Sequence, residues 1–582
     1  MTSASDTMVA GRLRERRVVR AALWVLREHH AAVALLLYSA AALIYQYHAV
    51  AHLGGGCACL GDDPTMFMWS MVWWPHAIGA GLNPFVTHLI WAPHAINLAA
   101  NTSVPGPALL ATPLTLIAGP VVSYNVLMLL APVIGAWVAY RLCLYVTRNP
   151  AAAILGGYLY GFSTYALGQS EGHMHLVFAF GPPALALFTL KRLDERISAR
   201  RYLVVSALVL IAQLSCGTEV TLTMTAMGVV ALAAGLIFAG PEKRRRIIAL
   251  LAPLAGAYAV MAVVCSPFLY YALTGPQVAE GRGLNFSSDI LTFAVPTPIF
   301  RVGGHRFAAV SNSFLGGYVE DGTYLGLPLI LIVAAFGVQR WRTRVGRILL
   351  AVLAVAVVWS LGTHLYIGGH PTIPLPWNLV AARTGLNEIL PSRIGLYVGL
   401  VCAVIAALWL AERGTSRLRR WSLALLAVVF LIPNTAFYND PLDVPAFFTT
   451  HLYRSYLRPG EVVLPIPYGT VGPGLLWQAD TKMYFRLASG DFYVPPDYGR
   501  ASFVQQALGT GPSPPPAVSS VGWLRAFILH YHVQAIVVEA SQPQGWPAVI
   551  DRLGLSPVQV GGVLLYRVVD SRLNYRIGAQ YH

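Results

Sequence analysis

Eleven apolar runs, most of them 15–20 residues long and separated by short arginine-rich or arginine-free connections, constrain this chain more than any other feature. An apolar stretch of about 17–25 residues is long enough to cross a bilayer as a helix, and repetition of such stretches defines a polytopic membrane protein. Of the 582 residues, 56% are hydrophobic and only 11% charged, which is too little polar surface for a soluble globular chain of this size. The net charge of +15 is not a nucleic-acid signal, because the arginines cluster between apolar runs, as in loops held against anionic lipid. We expect no nucleic-acid partner.

The positive-inside rule orients the runs. The basic leader over residues 1–30, with Arg12 to Arg27, predicts a cytoplasmic N-terminus and a first run retained as an anchor. Runs follow at about 31–50, 124–142, 151–167, 175–190, 203–217, 219–239, 247–273, 323–339, 348–363, 393–411 and 421–435. Basic clusters at Arg141 and Arg148, Lys191 to Arg201, Lys243 to Arg246, Arg340 to Arg347 and Arg413 to Arg420 fall on one side. Eleven crossings put the tail outside the plasma membrane. Residues 105–119, broken by Pro105, Pro107 and Pro113, must then lie in the outer leaflet without crossing. The first outer loop thus covers 51–123, and the membrane part covers 31–435.

That loop opens on GDDPTMFMWSMVWWPH, residues 61–76. Phe67, Trp69, Trp73 and Trp74 recur at helical spacing, and Trp favours the lipid interface, so the spacing predicts an amphipathic helix lying on the membrane. Asp63-Pro64 is also a helix start, with Asp as N-cap and Pro at the first helical position. A cap needs one acid, however, and Asp62 and Asp63 are two. Further polar residues fall on the same side: Glu171, His173 and His175 in QSEGHMH, Glu219 in SCGTEV, Asp289, Glu320 and Asp321 in YVEDGTYLG, and His364, His370, Glu388 and Arg393. Each alone reads equally as a solvated surface group. Glu219 is the exception, lying between two apolar runs with almost no loop to solvate it. His76 closes the opening stretch.

Taken together, a retained first span, an acidic start to the first outer loop, juxtamembrane segments and an outer tail resemble the C-type (GT-C) integral membrane glycosyltransferases. DPTMFMWSMVWWPHA, residues 83–104, 119–127, 156–177, 289–298 and 390–400, SCGTEV and DGTYLGLPL are similar to a group of actinobacterial polytopic membrane proteins assigned to that superfamily. The resemblance implies transfer of a sugar from a polyprenyl-phosphate donor to an envelope glycan or lipid acceptor on the outer face. It implies that a first-loop acid, Asp63 ahead of Asp62, is the general base. His76, Glu171, His173, His175, Glu219, Glu320, Asp321 and Arg393 are the candidate substrate-binding residues, with Arg393 for the leaving phosphate. A divalent cation (Mg, Mn or Ca) would suit that phosphate, but the spacing of Asp62, Asp63 and His76 gives no ligand signature.

Residues 436–582 change character. EVVLPIPYG, VQAIVVEA and VGGVLLYRVV read as strands, and VGWLRAFILHYH and WPAVIDRLG as helices, predicting a small α/β domain. It shows no phosphate loop, Ser-His-Asp order or zinc spacing, and reads as an acceptor-binding or structural cap. Cys57-Ala58-Cys59 reads equally as a disulfide or as two free thiols. A transporter or flippase of a lipid-linked precursor, and a non-catalytic envelope scaffold, are the competing readings. Matching interrupted repeats would mark the transporter, and none is visible.

Overall fold

The structure, a computed structural model, describes residues 28–59, 63–275, 286–377, 389–412, 417–468, 472–490, 521–543 and 545–568. Asp62 and Glu388 lie outside these residues.

Every apolar run is helical: His30–Tyr45, Thr112–Thr147, Pro150–Gly161, Gly181–Leu193, Ala199–Cys216, Thr218–Phe238, Pro241–Val264, Gly326–Arg340, Arg344–Ser360, Gly395–Ala411 and Arg417–Phe430. Local chemistry sets several starts. Asn149 accepts from the Ala152 amide ahead of Pro150, Ser198 from Arg201, and Thr343 from Gly346, each satisfying an orphan helix donor. Among the described residues, six helical stretches are long and apolar enough to cross a bilayer. The chain is a membrane protein. Pro150–Gly161 has 12 residues, about 18 Å of helix, shorter than the hydrocarbon core.

Gly395–Ala411 runs through the centre of the bundle, buried along nearly its whole length among the helices around it. Pro150–Gly161 approaches Thr112–Thr147 backbone to backbone, because GGYLYG lacks side chains at the contact. A Cβ on Gly157 would sit 2.6 Å from the Ala136 carbonyl oxygen. The proline-broken segment forms Pro105–Leu110 and then the start of Thr112–Thr147, whose helix is interrupted at Gly119 (φ 87°, ψ 172°). Leu110, Leu116 and Ile117 stand exposed there, an apolar face of the kind that meets lipid.

The tail carries a five-stranded mixed sheet in the order Pro557–Val560, Val563–Arg567, Ala535–Glu539, Val462–Ile466, Arg486–Leu487. The two outer pairings on the Pro557 side are antiparallel, and those made by Val462–Ile466 are parallel. Helices Val521–His530 and Trp546–Asp551 fall where the sequence predicts them.

This sheet is fused to the loop that follows the first apolar run. Leu487 donates to the Leu89 carbonyl, Ala92 to that of Leu487 and Trp91 to that of Ser489, so residues 89–92 run along the sheet edge. Gly56–Cys57 pairs with Asp440–Pro441. The tryptophans of Pro64–Gly79 are therefore not at a lipid interface. Phe67, Trp69, Trp73 and Trp74 are all buried in the core shared with the tail. Trp69 Nε1 donates to Gln478 Oε1, Trp73 Nε1 to the Pro84 carbonyl and Trp74 Nε1 to that of Ser103. Helical spacing of Trp reports only one apolar face, and here that face meets protein from both ends of the chain. The membrane-lying expectation for this helix is overturned.

Candidate functional site

Five segments from across the chain meet at one end of the bundle: Asp63 at the head of Pro64–Gly79, the turn after Thr164–Gln169, the turn at Glu219, Gly317–Glu320, and the 3₁₀ turn Pro391–Ile394. Asp63 occupies the N-cap position, yet its side chain accepts no hydrogen bond from the helix amides. It turns instead to His173, with Oδ2 3.0 Å from Nε2. The capping reading of Asp63 is thus set aside by geometry, since the helix start rests on Pro64 alone.

Behind this pair lies a continuous polar chain. His173 Nδ1 meets Gln169 Oε1 at 2.5 Å and lies 3.8 Å from Glu320 Oε1. Gln169 Nε2 donates to Glu320 Oε2 (3.1 Å) and to the Val319 carbonyl (3.2 Å). The Arg393 guanidinium donates through Nε and Nη2 to Glu320 and through Nη1 to Glu219. Three carboxyl groups, from Asp63, Glu219 and Glu320, thus share one guanidinium through this chain.

Exposure separates the roles. The Asp63 side chain is 48% exposed, against 7% for Glu320 and 14% for Arg393. Burial by itself would raise the Asp63 carboxyl, but the hydrogen bond and charge of His173, with the charge of Arg393, outweigh it and hold the group below its usual range. Glu320 is likewise held low, burial being overcome by Arg393 first and by its hydrogen bonds and His173 next. Both are carboxylates at neutral pH. Among the described residues of the cluster, Asp63 is the most open to a bound molecule.

Arg393 has a different place from the one expected for a phosphate ligand. Its three nitrogens are already committed to two carboxylates, so it fixes Glu219 and Glu320 rather than waiting for an anion. Glu171 lies next to the cluster in sequence but apart from it in contact. It is fully buried, neither oxygen has a partner, and burial pushes its carboxyl up to about 8. Asp321 is also fully buried, and burial, Asp289 and Glu320 push it up to about 8. His175 packs its ring against Phe67 (5.6 Å between centroids) and edge-on to His173 (5.9 Å), forming a wall. His76 is at the far end of Pro64–Gly79, about 20 Å from Asp63 at 1.5 Å per residue, and burial lowers its imidazole. It does not belong to the cluster. Asp289 caps its own turn through the Leu291 amide. His364 and His370 sit on a hairpin, His370 exposed.

Sequence reasoning passed over Gln169, which bridges His173 and Glu320. A neutral amide in QSEGH carries no charge signal, and only its burial within an acidic chain marks it. Gly168 beside it admits the Val319 backbone, since a Cβ there would lie 2.6 Å from the Val319 oxygen.

For a cation, the chemistry of the donors is a partial fit. Asp63 Oδ2 and His173 Nε2 face each other as one oxygen and one nitrogen donor, whereas the Glu320 oxygens are held by Arg393.

This bundle with its C-terminal sheet has a fold similar to that of solved GT-C glycosyltransferases. The oligosaccharyltransferase AglB from Archaeoglobus fulgidus, in complex with an inhibitory peptide and a dolichol-phosphate, is 12% identical, with a TM-score of 0.51 over 95% of this chain and 75% of AglB. Arabinofuranosyltransferase AftD from Mycobacteria is 14% identical, with a TM-score of 0.53 over 93% of this chain and 40% of AftD. ArnT from Cupriavidus metallidurans bound to undecaprenyl phosphate is 12% identical, with a TM-score of 0.51 over 92% and 98%. Residues 30–432 match the family described as a domain of unknown function, DUF6311, and the chain belongs to that family. No functionally curated protein matches the sequence.

Proposed function

We propose that this protein is a glycosyltransferase that moves a sugar from a polyprenyl phosphate onto a hydroxyl of an envelope glycan or lipid, outside the plasma membrane. The observation that carries the reading is the half-exposed Asp63 carboxylate, held ionised by His173 and Arg393 at the most accessible point of a largely buried ionic chain. The fold adds support, and so do AglB and ArnT, which are solved with dolichol-phosphate and undecaprenyl phosphate.

In the reaction an acceptor oxygen forms a bond to the anomeric carbon while the bond from that carbon to the phosphate oxygen breaks. Polyprenyl phosphate leaves with the bonding pair, and the acceptor proton passes to Asp63 Oδ. His173 orients that carboxylate, and Gln169, Glu320 and Arg393 hold His173. Rigidity of this chain is what keeps Asp63 within hydrogen-bond reach of a hydroxyl. A divalent cation held by Asp63 and His173 would offset charge on the departing phosphate. Asp62 belongs to the same loop start and has the lesser role. Eleven crossings with a cytoplasmic N-terminus and an outer tail from residue 436 complete the reading, and the tail shapes the acceptor side by gripping the Pro64–Gly79 helix.

The test is Asp63→Asn in purified protein given a polyprenyl-phosphate sugar and an acceptor extract. The amide keeps size and polarity but cannot take the proton, so turnover should fall by about 10²–10⁴ while the protein stays folded. Full transfer by Asp63→Asn removes Asp63 from the chemistry.

A further inference from the structure

A second acidic site lies behind the first and is used by nothing above. Asp321 is fully buried, and neither of its oxygens accepts a hydrogen bond of normal geometry. The Gly316 backbone approaches it, so that a Cβ there would lie 2.7 Å from Oδ1. Asp289 is also fully buried, with Oδ1 on the Leu291 amide (2.9 Å) and Oδ2 on the Gly369 amide (2.8 Å).

Backbone contacts bring the two together. Gly369 is the tip of the hairpin formed by His364–Ile367 and His370–Pro374, and it seats against Ser313, three residues before Gly316. Leu325 donates to the Phe293 carbonyl at 3.0 Å, so the segments following each aspartate run side by side. In the same segments the hydroxyls of Ser288, Thr292 and Thr323, one to three residues from the aspartates, are buried without partners. Among the described residues no Lys, Arg or His forms an ion pair with either acid, and Arg393 is committed to Glu219 and Glu320.

A buried carboxylate with no cation facing it and few donors is strongly unfavourable. Orphan hydroxyl and carboxylate oxygens with no nitrogen or sulfur among them form the donor chemistry of a hard cation. Mg²⁺ keeps several waters in near-octahedral order, whereas Ca²⁺ accepts six to eight oxygens in irregular shells. We propose that Asp289 and Asp321 bind one Ca²⁺, completed by neighbouring hydroxyl and carbonyl oxygens. The ion clasps the outer hairpin to the turn that presents Glu320. It is separate from the Asp63–His173 pair and independent of the glycosyltransferase reading.

The experiment uses the full-length protein in detergent, stripped with chelator and tested with CaCl₂ or MgCl₂. Equilibrium dialysis with radiolabelled calcium and thermal unfolding are measured on wild type, Asp321→Asn, Thr292→Val and Asp63→Asn. Expected are one Ca²⁺ per wild-type chain, an unfolding midpoint that falls by several degrees on chelation and returns with CaCl₂, and binding at least tenfold weaker in Asp321→Asn. Thr292→Val should weaken binding with less risk to folding, and Asp63→Asn should retain the Ca²⁺ whose binding Asp321→Asn weakens. Three results overturn the proposal: no calcium bound at millimolar CaCl₂, binding lost in Asp63→Asn instead, or an Asp321→Asn protein more stable than wild type with neither responding to calcium. The last would identify Asp321 as a neutral, protonated buried acid.

Discussion

Glu171 offers the sharpest stability test, because its environment is simple. The carboxyl is fully buried, has no hydrogen-bond partner, and burial alone moves it from 4.5 to about 8. At about 1.4 kcal/mol per pH unit the full displacement corresponds to about 5 kcal/mol. The sign follows from proton counts. Between 4.5 and about 8 the folded state keeps the proton and the unfolded state releases it, so stability is greatest below 4.5 and declines as pH rises through about 8. Glu171→Gln replaces the neutral acid with a group that never ionises. Wild type should therefore lose about 4 kcal/mol relative to Glu171→Gln between pH 5 and pH 9, and the variant should be the more stable of the two at the alkaline end. Denaturant unfolding in one detergent, followed by tryptophan fluorescence at several pH values, measures the difference. Asp321 is present in both proteins, so its own pH dependence cancels. Parallel pH profiles for the two proteins would refute the reasoning, since they would mean Glu171 is solvated or paired in solution.

Other outcomes follow from the same geometry. Arg393→Met strands Glu219 and Glu320 as buried charges and should cost about 3–5 kcal/mol, read as loss of monodisperse protein, with Glu320→Gln in the same chain restoring part of it. Gly168→Ala drives a Cβ toward the Val319 oxygen and should destabilise by about 1–3 kcal/mol, measured by thermal unfolding. Cys57 and Cys59 form a disulfide while Cys143, Cys216, Cys265 and Cys402 are free, so maleimide labelling of the denatured protein should add four groups before reduction and six after.

The membrane class, the helices and the tail's strands were all legible in the chain, because each is a local property. Apolar runs of bilayer length must become helices to satisfy their backbone, and positive charge avoids the outer side. Asn149-Pro150 and Asp63-Pro64 start helices through geometry confined to a few residues. What the chain could not reveal depends on partners far away in sequence. Asp63 was ambiguous between cap and acid until His173, 110 residues later, took its side chain. Arg393 read as a free cation, and two distant carboxylates had already neutralised it. The tryptophans of the opening stretch read as a membrane face, yet Gln478 and the sheet edge cover them, since one apolar face serves lipid and protein equally well. Glu171, Asp321 and His76 carry the same residue types as the working cluster. Only tertiary packing decided that the first two are sealed off and the third is a helix length away, because burial and distance, not identity, set what a side chain can reach.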